Sequence, residues 1–135
     1  MRHLCIMAFS AALILAGSAG DARFLYGRDP GLTVNVLSAT SVEVIEARGA
    51  GPQDMWCAAA RYVDGVLGIQ RGRLYVSVPR GPATTVPGRT GVTFTTEPTP
   101  NAFTSVSVSV DQAGMNLPIF HALQFCRNYI LELED

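Results

Sequence analysis

A chain that ties Cys57 to Cys126 must bring its middle against its C-terminal end, and little else in this sequence constrains the fold as firmly. Cys57 lies in Gln53-Asp-Met-Trp-Cys-Ala-Ala-Ala-Arg-Tyr-Val-Asp-Gly-Val-Leu67, beside the sole tryptophan, Trp56. We expect Cys57 and Cys126 to pair, with Trp56 as the core anchor next to the bridge. Closing a loop of about 70 residues stabilises a fold by about 4 kcal/mol in the chain-entropy model. That is comparable with the whole net stability of a small domain. The competing reading is two free buried thiols.

Pairing needs an oxidising compartment, and the first residues predict one. Arg2 and His3 precede an apolar run from Leu4 to Ala16, then the small residues Gly17, Ser18, Ala19 and Gly20, then Asp21. A basic start, a short apolar stretch and small residues at the cut describe a secretory signal peptide. The expected division is residues 1–19 as leader and 20–135 as one disulfide-stapled domain, with Ala22 as the second choice of cleavage site. The alternative is an uncleaved anchor, but about 13 apolar residues fall short of the roughly 20 that a spanning helix requires. Cys5 falls inside the leader. Cutting after Ala19 leaves 116 residues (135 minus 19), enough for one core. The expected location is periplasmic or secreted, with no membrane span once the leader is gone.

All 10 basic residues are arginine, which the codon usage of a GC-rich genome explains. Arginine also grips carboxylates and phosphates with a two-pronged fork that lysine lacks. The net charge is only −1 and no basic run occurs, which argues against nucleic acid or an anionic membrane surface as partner.

Along the chain, Ala22–Gly27 is a short apolar stretch that suits an edge strand, and Arg28-Asp-Pro-Gly31 has the composition of a turn. Leu32–Leu37 alternates, and Val42–Ala47 resumes with β-branched residues after the polar Ser38–Ser41, so the pair reads as a hairpin. Pro52 suits a first helical turn, and Asp54 sits near the positive end of the helix dipole. Trp56, Ala59, Ala60, Val63 and Leu67 follow at the spacing of one buried face, with Gly65 and Gly68 marking the end. Arg73–Val78 and Thr90–Thr96 read as strands on either side of a loop from Pro79 to Arg89. Thr104–Asp111 alternates most strictly, with Val106, Val108 and Val110 against Ser105, Ser107 and Ser109. Asn116 reads as an N-cap before a second helix, whose stripe is Ile119, Leu123, Cys126 and Ile130. Its acidic end, Leu131–Asp135, predicts fraying. The fold class is therefore α+β: a single antiparallel sheet of about five strands with two helices on one face, in the order β-β-α-β-β-β-α. The runner-up is a small open barrel plugged by the helices.

Catalytic and metal signals are weak. His121 is the one histidine outside the leader, and no His, Cys or carboxylate cluster has ligand spacing, so no metal or cofactor is expected. The Ser105-Ser107-Ser109 series is explained as the wet face of a strand, and no G-x-S-x-G element occurs. Glu43 and Glu46, three apart on a strand, are expected on opposite faces and are poor partners for acid–base work. Gly49-Ala-Gly51 lacks the third glycine and the β-α-β setting of a phosphate loop. What remains is the proline-rich loop, where Arg80, Pro82, Pro87 and Arg89 are the candidate partner-binding residues; the competing reading is a passive connector.

With Trp56-Cys57-Ala-Ala, Arg73-Leu-Tyr-Val, Arg80-Gly-Pro82, Pro87-Gly-Arg89, Val92-Thr-Phe94 and Cys126, most of the chain resembles an uncharacterised group of small exported proteins. These come from alphaproteobacteria of the Rhodobacter–Roseobacter type. The resemblance implies export and the two-cysteine pattern, and it supplies no activity or catalytic residue. The expected function is a non-catalytic binding module with a protein or envelope partner. The alternatives are a minor enzyme using His121 and carboxylates, or an envelope structural protein.

Overall fold

The computed structural model describes residues 31–104 and 107–134, with side chains described through Cys126. The leader, the strand expected at Ala22–Gly27, the first three residues of the turn after it, Ser105, Val106 and the Ile130 side chain lie outside the described residues. So do the side chains of the acidic end.

The alternating stretch after Leu32 and the β-branched run after it form the predicted hairpin, β1 (Thr33–Ser38) and β2 (Ser41–Ile45). Helix α1 follows (Pro52–Gly65), then β3 (Arg73–Pro82), β4 (Thr90–Thr95), β5 (Asn116–Pro118) and α2 (Ile119–Glu134). The strands make one sheet in the order β1-β2-β4-β3-β5, every neighbouring pair antiparallel. The α+β class, the element order and the two helices match the sequence expectation.

Register places the core. Val36 lies opposite Val42, Val42 opposite Phe94, and Phe94 opposite Val76, so these four share one face. Val34, Val44 and Val92 make a second row on that face. Both helices pack there, and Trp56, Ala59, Ala60, Val63, Ile119, Ala122 and Cys126 are fully buried against it. The alternate positions of β2, Glu43 and Ile45, project to the other face, because successive side chains on a strand point opposite ways.

Helix α1 begins where proline allows it. Gly51 donates its N–H to the Asp54 carboxylate at 2.8 Å, which satisfies one of the unpaired groups at the helix start. At the other end Gly68 has φ of 72°, and the Ile69 N–H returns to the Val63 carbonyl at 3.0 Å. The helix is buried further round than a single stripe: every residue from Met55 to Arg61 is buried. It packs against both the sheet and α2, and Cys57 is joined there to Cys126 with their Cα atoms 5.2 Å apart.

The strand expected at Thr104–Asp111 is not formed among its described residues, and the fifth strand is Asn116–Pro118 instead. Burial keeps only part of the alternation: Val110 is buried and Ser107 exposed, but Val108 and Ser109 are both half-buried. The backbone, however, is satisfied locally. Ser107 Oγ accepts from the Ser109 N–H at 3.2 Å, and Ser109 Oγ accepts from the Asp111 N–H at 3.1 Å. Short hydroxyl side chains compete in this way with ladder hydrogen bonds. The segment runs beside β3, touching it through Arg80 N–H to the Val110 carbonyl at 2.9 Å.

Asn116 is a strand residue rather than the expected N-cap. Its side-chain amide donates to the carbonyls of Phe103 and Gly114, each at 2.9 Å, and its oxygen accepts from Arg73 Nε at 2.6 Å. The side-chain oxygen that would cap α2 is taken by Arg73 on β3, while the amide nitrogen holds the preceding loop.

Candidate functional site

The proline-rich segment is shorter as a loop than the sequence suggests. Strand β3 continues through Pro79 and Arg80 to Pro82, leaving Ala83–Arg89 as the connection to β4. Register irregularities between Val76 and Val78 and between Val78 and Gly81 make this possible. Proline lacks a ladder N–H and is tolerated where a strand is bulged.

The loop closes on itself and then onto the sheet. The Ala83 N–H donates to the Arg89 carbonyl at 2.8 Å, and Gly88 takes φ of 78°, a turn geometry that favours glycine. Its tip folds over the face opposite the helices. There Glu43, only 2% exposed, accepts four hydrogen bonds from two consecutive threonines. One carboxylate oxygen takes the Thr84 N–H at 2.9 Å and the Thr84 hydroxyl at 3.1 Å. The other takes the Thr85 N–H at 2.8 Å and the Thr85 hydroxyl. Asn35 on β1 adds a donor to Thr85 Oγ1 at 2.9 Å.

Burial by itself raises the Glu43 carboxyl. The Thr85 hydroxyl, the two backbone N–H groups and the Thr84 hydroxyl outweigh it and hold the group below its ordinary value. The approach is close enough that a side chain beneath it would press on its neighbours. A Cβ on Gly91 would stand 3.3 Å from both Ala83 Cβ and Glu43 Cγ, and 3.0 Å from the Val44 carbonyl.

Glu46 holds the base of the same loop. Its carboxylate forms an ion pair with Arg80, including a bond from Nε at 3.1 Å, and its backbone carbonyl accepts from Arg89 Nη2 at 2.8 Å. Arg80 and Arg89 therefore converge, on Glu46. The strand β2 ends at Ile45, one residue before Glu46, so strand alternation does not set the direction of the Glu46 side chain. Both glutamates serve one loop, Glu43 at its tip and Glu46 at its base.

Of the residues singled out from sequence, Pro82, Pro87 and Arg89 are exposed and the Arg80 side chain is 46% exposed. Trp56 and the bridge lie in the helical layer, on the other side of the sheet from Glu43 and its loop. Sequence reasoning missed Glu43 as the loop's anchor. The available signal was Ile45: an apolar residue two positions on shares the face of Glu43, so that face is not simply wet.

His121 is exposed on α2 with its ring 5.6 Å from that of Phe125. Among the described residues no group of three or more His, Cys, Asp or Glu side chains could hold a metal ion. Nor is any described helix long and apolar enough to cross a membrane.

The fold and the bridge define a small disulfide-bonded α+β protein that displays one anchored loop. Comparison with protein-family models, with curated proteins and with solved structures gives no match.

Proposed function

We propose that this protein is an exported, non-catalytic binding module that engages a protein partner of the cell envelope through the outer surface of the Ala83–Arg89 loop. The observation that carries this reading is the loop's division of labour. Its inner side is fixed by four hydrogen bonds to Glu43, while Pro82, Thr84, Thr85, Pro87, Gly88 and Arg89 are exposed. A loop ordered before binding loses little entropy when it docks, which is the general route by which preorganisation raises affinity. At the rim Arg80 is paired with Glu46, while Arg89 spends one nitrogen on the Glu46 carbonyl and keeps donors suited to a carboxylate of a partner. Export is supported by the leader-like start and by the Cys57–Cys126 bridge, which persists in oxidising compartments.

The Glu43 carboxylate, held below its ordinary value, speaks for binding rather than catalysis. Its four hydrogen bonds occupy both oxygens, which leaves little acceptor capacity for a substrate proton.

A photo-crosslinking residue placed at Pro87, with Gln53 on the exposed side of α1 as control, tests the reading in cells. A discrete adduct from position 87, absent from position 53 and weakened by Arg89→Glu, is expected. Identical adducts from both positions, or none from 87, would overturn it. Export is checked separately by the intact mass of recovered protein, which should lack the first nineteen to twenty-two residues.

A further inference from the structure

We propose that Glu43 is a carboxylate latch that holds the Ala83–Arg89 loop closed on the helix-free face of the sheet, and that protonating it in acid frees the loop while the disulfide-bridged layer stays folded. The inference concerns how the loop is held and not what it meets, so it stands or falls separately from the binding reading.

The geometry is that of a single-point hold. All four donors on the carboxylate come from Thr84 and Thr85, and all four need an acceptor. An ionised carboxylate is acceptor-only, with room for about four hydrogen bonds. Once protonated, one oxygen becomes a donor. A threonine hydroxyl can turn to accept from it, but the N–H on the same oxygen then faces a neutral, weaker acceptor, so the charge-assisted set is lost. The remaining contacts weaken with it, because Asn35, Thr85 and Glu43 form a chain in which each bond polarises the next.

The groups that face Glu43 do not titrate against it. Its register partners are Asn35 on β1 and Thr93 on β4, both uncharged, and the loop presents Thr84 and Thr85. The charged side chains nearby in the site, Arg80 on β3 and Arg89 at the loop's end, are engaged by Glu46. Arg89 is tied to a backbone carbonyl, a contact that acid leaves in place, so the base of the loop remains attached while the tip lifts. On the opposite side of the sheet the hold is of another kind. Trp56, Phe94 and the Cys57–Cys126 bridge are apolar or covalent; the carboxylates of that layer, Asp54 at the start of α1 and the buried Asp64 near its end, lie apart from the loop. A segment held by a few polar contacts opens at a lower free energy than such a core.

The test is a pH series of two-dimensional amide spectra on the disulfide-bonded protein. The Thr84 and Thr85 amides are expected to move together with one midpoint below about 4.3, the ordinary glutamate value, while the Trp56 indole N–H stays dispersed. In Glu43→Gln those two titrations should vanish. Exchange of the loop amides at neutral pH should rise by at least about tenfold, as expected for losing charge-assisted bonds. Thr84 and Thr85 amides that ignore pH, loop exchange unchanged in Glu43→Gln, or loss of the Trp56 signal at the same midpoint as the loop would each overturn the proposal. Thr85→Val, which keeps the carboxylate and removes one hydroxyl, should retain the titration with a higher midpoint and so guards against a Glu43→Gln protein that fails to fold.

Discussion

Trp56 donates its indole N–H to the carbonyl of Val108 at 2.7 Å, across 52 residues of chain. This bond fastens α1 to a segment that makes no strand, and it does so from a fully buried side chain whose ring lies 5.0 Å from Phe94 at an edge-on 63°. Helix, sheet and irregular segment meet at one residue. Truncation to Trp56→Ala should therefore cost about 3–5 kcal/mol, the usual range for an aromatic lost from a core. Trp56→Phe keeps much of the packing but leaves the Val108 carbonyl without its donor, and should cost about 1–3 kcal/mol. Denaturant midpoints of the two variants and the unaltered protein check the order; a Trp56→Phe midpoint equal to that of the unaltered protein would mean that the hydrogen bond contributes nothing.

Reduction of the Cys57–Cys126 bridge is expected to lower stability by about 4 kcal/mol, since the bridge closes a separation of 69 residues. Thermal melts with and without reductant read this directly. Quantitative alkylation of two thiols in the native, unreduced protein would contradict the pairing itself.

Gly114 should tolerate no side chain. Its φ is 93°, and a Cβ there would stand 2.0 Å from the Asn101 carbonyl oxygen, a backbone atom that cannot swing aside. Gly114→Ala should cost about 3 kcal/mol or more, combining an unfavourable backbone conformation with a clash. Gly49, whose added Cβ would meet nothing within 4 Å but whose φ is 69°, isolates the conformational part. Gly49→Ala should cost only about 1 kcal/mol, and a calorimetric comparison of the two separates strain from collision.

Stability should fall in acid through Glu43. Its folded-state carboxyl lies below the ordinary value. The contribution is therefore fully present above the unfolded value, about 4.3, and is lost as the pH drops through the lower, folded one. Urea unfolding at pH 6 and pH 3 should show a smaller decrease for Glu43→Gln than for the unaltered protein. An equal decrease would assign the acid sensitivity to other carboxylates.

Arg80→Ala and Arg89→Ala should change stability by less than about 1 kcal/mol each, because the Arg80–Glu46 ion pair is partly exposed and Arg89 makes an exposed hydrogen bond to the Glu46 carbonyl. Their effect is expected in partner capture instead, where either substitution should weaken the adduct from position 87. A large loss of stability would make them structural residues of the loop.

What the sequence determined by itself was everything written in local periodicity or in a covalent option. Alternation around Val34 and Val36, the β-branched Val42–Ile45, the Pro52 start and the three-and-four spacing of Trp56, Ala59, Ala60 and Val63 specify elements through short-range preferences. Two cysteines specified their own pairing. Periodicity foretold the burial of Val110 and the exposure of Ser107, but not that Val108 and Ser109 would be buried to a similar degree. It could not foretell whether that segment pairs as a strand, because the same pattern suits an irregular backbone whose N–H groups are taken by serine hydroxyls. The site was less legible still. Arg80, Pro82, Pro87 and Arg89 could be picked out by composition, but the residues that hold the loop, Glu43 and Glu46, are more than thirty positions earlier in the chain. Only the tertiary structure brings β2 beneath the β3–β4 connection. A hydrogen bond between residues 41 apart leaves no periodic trace, because it depends on sheet order and register, which local preferences do not encode.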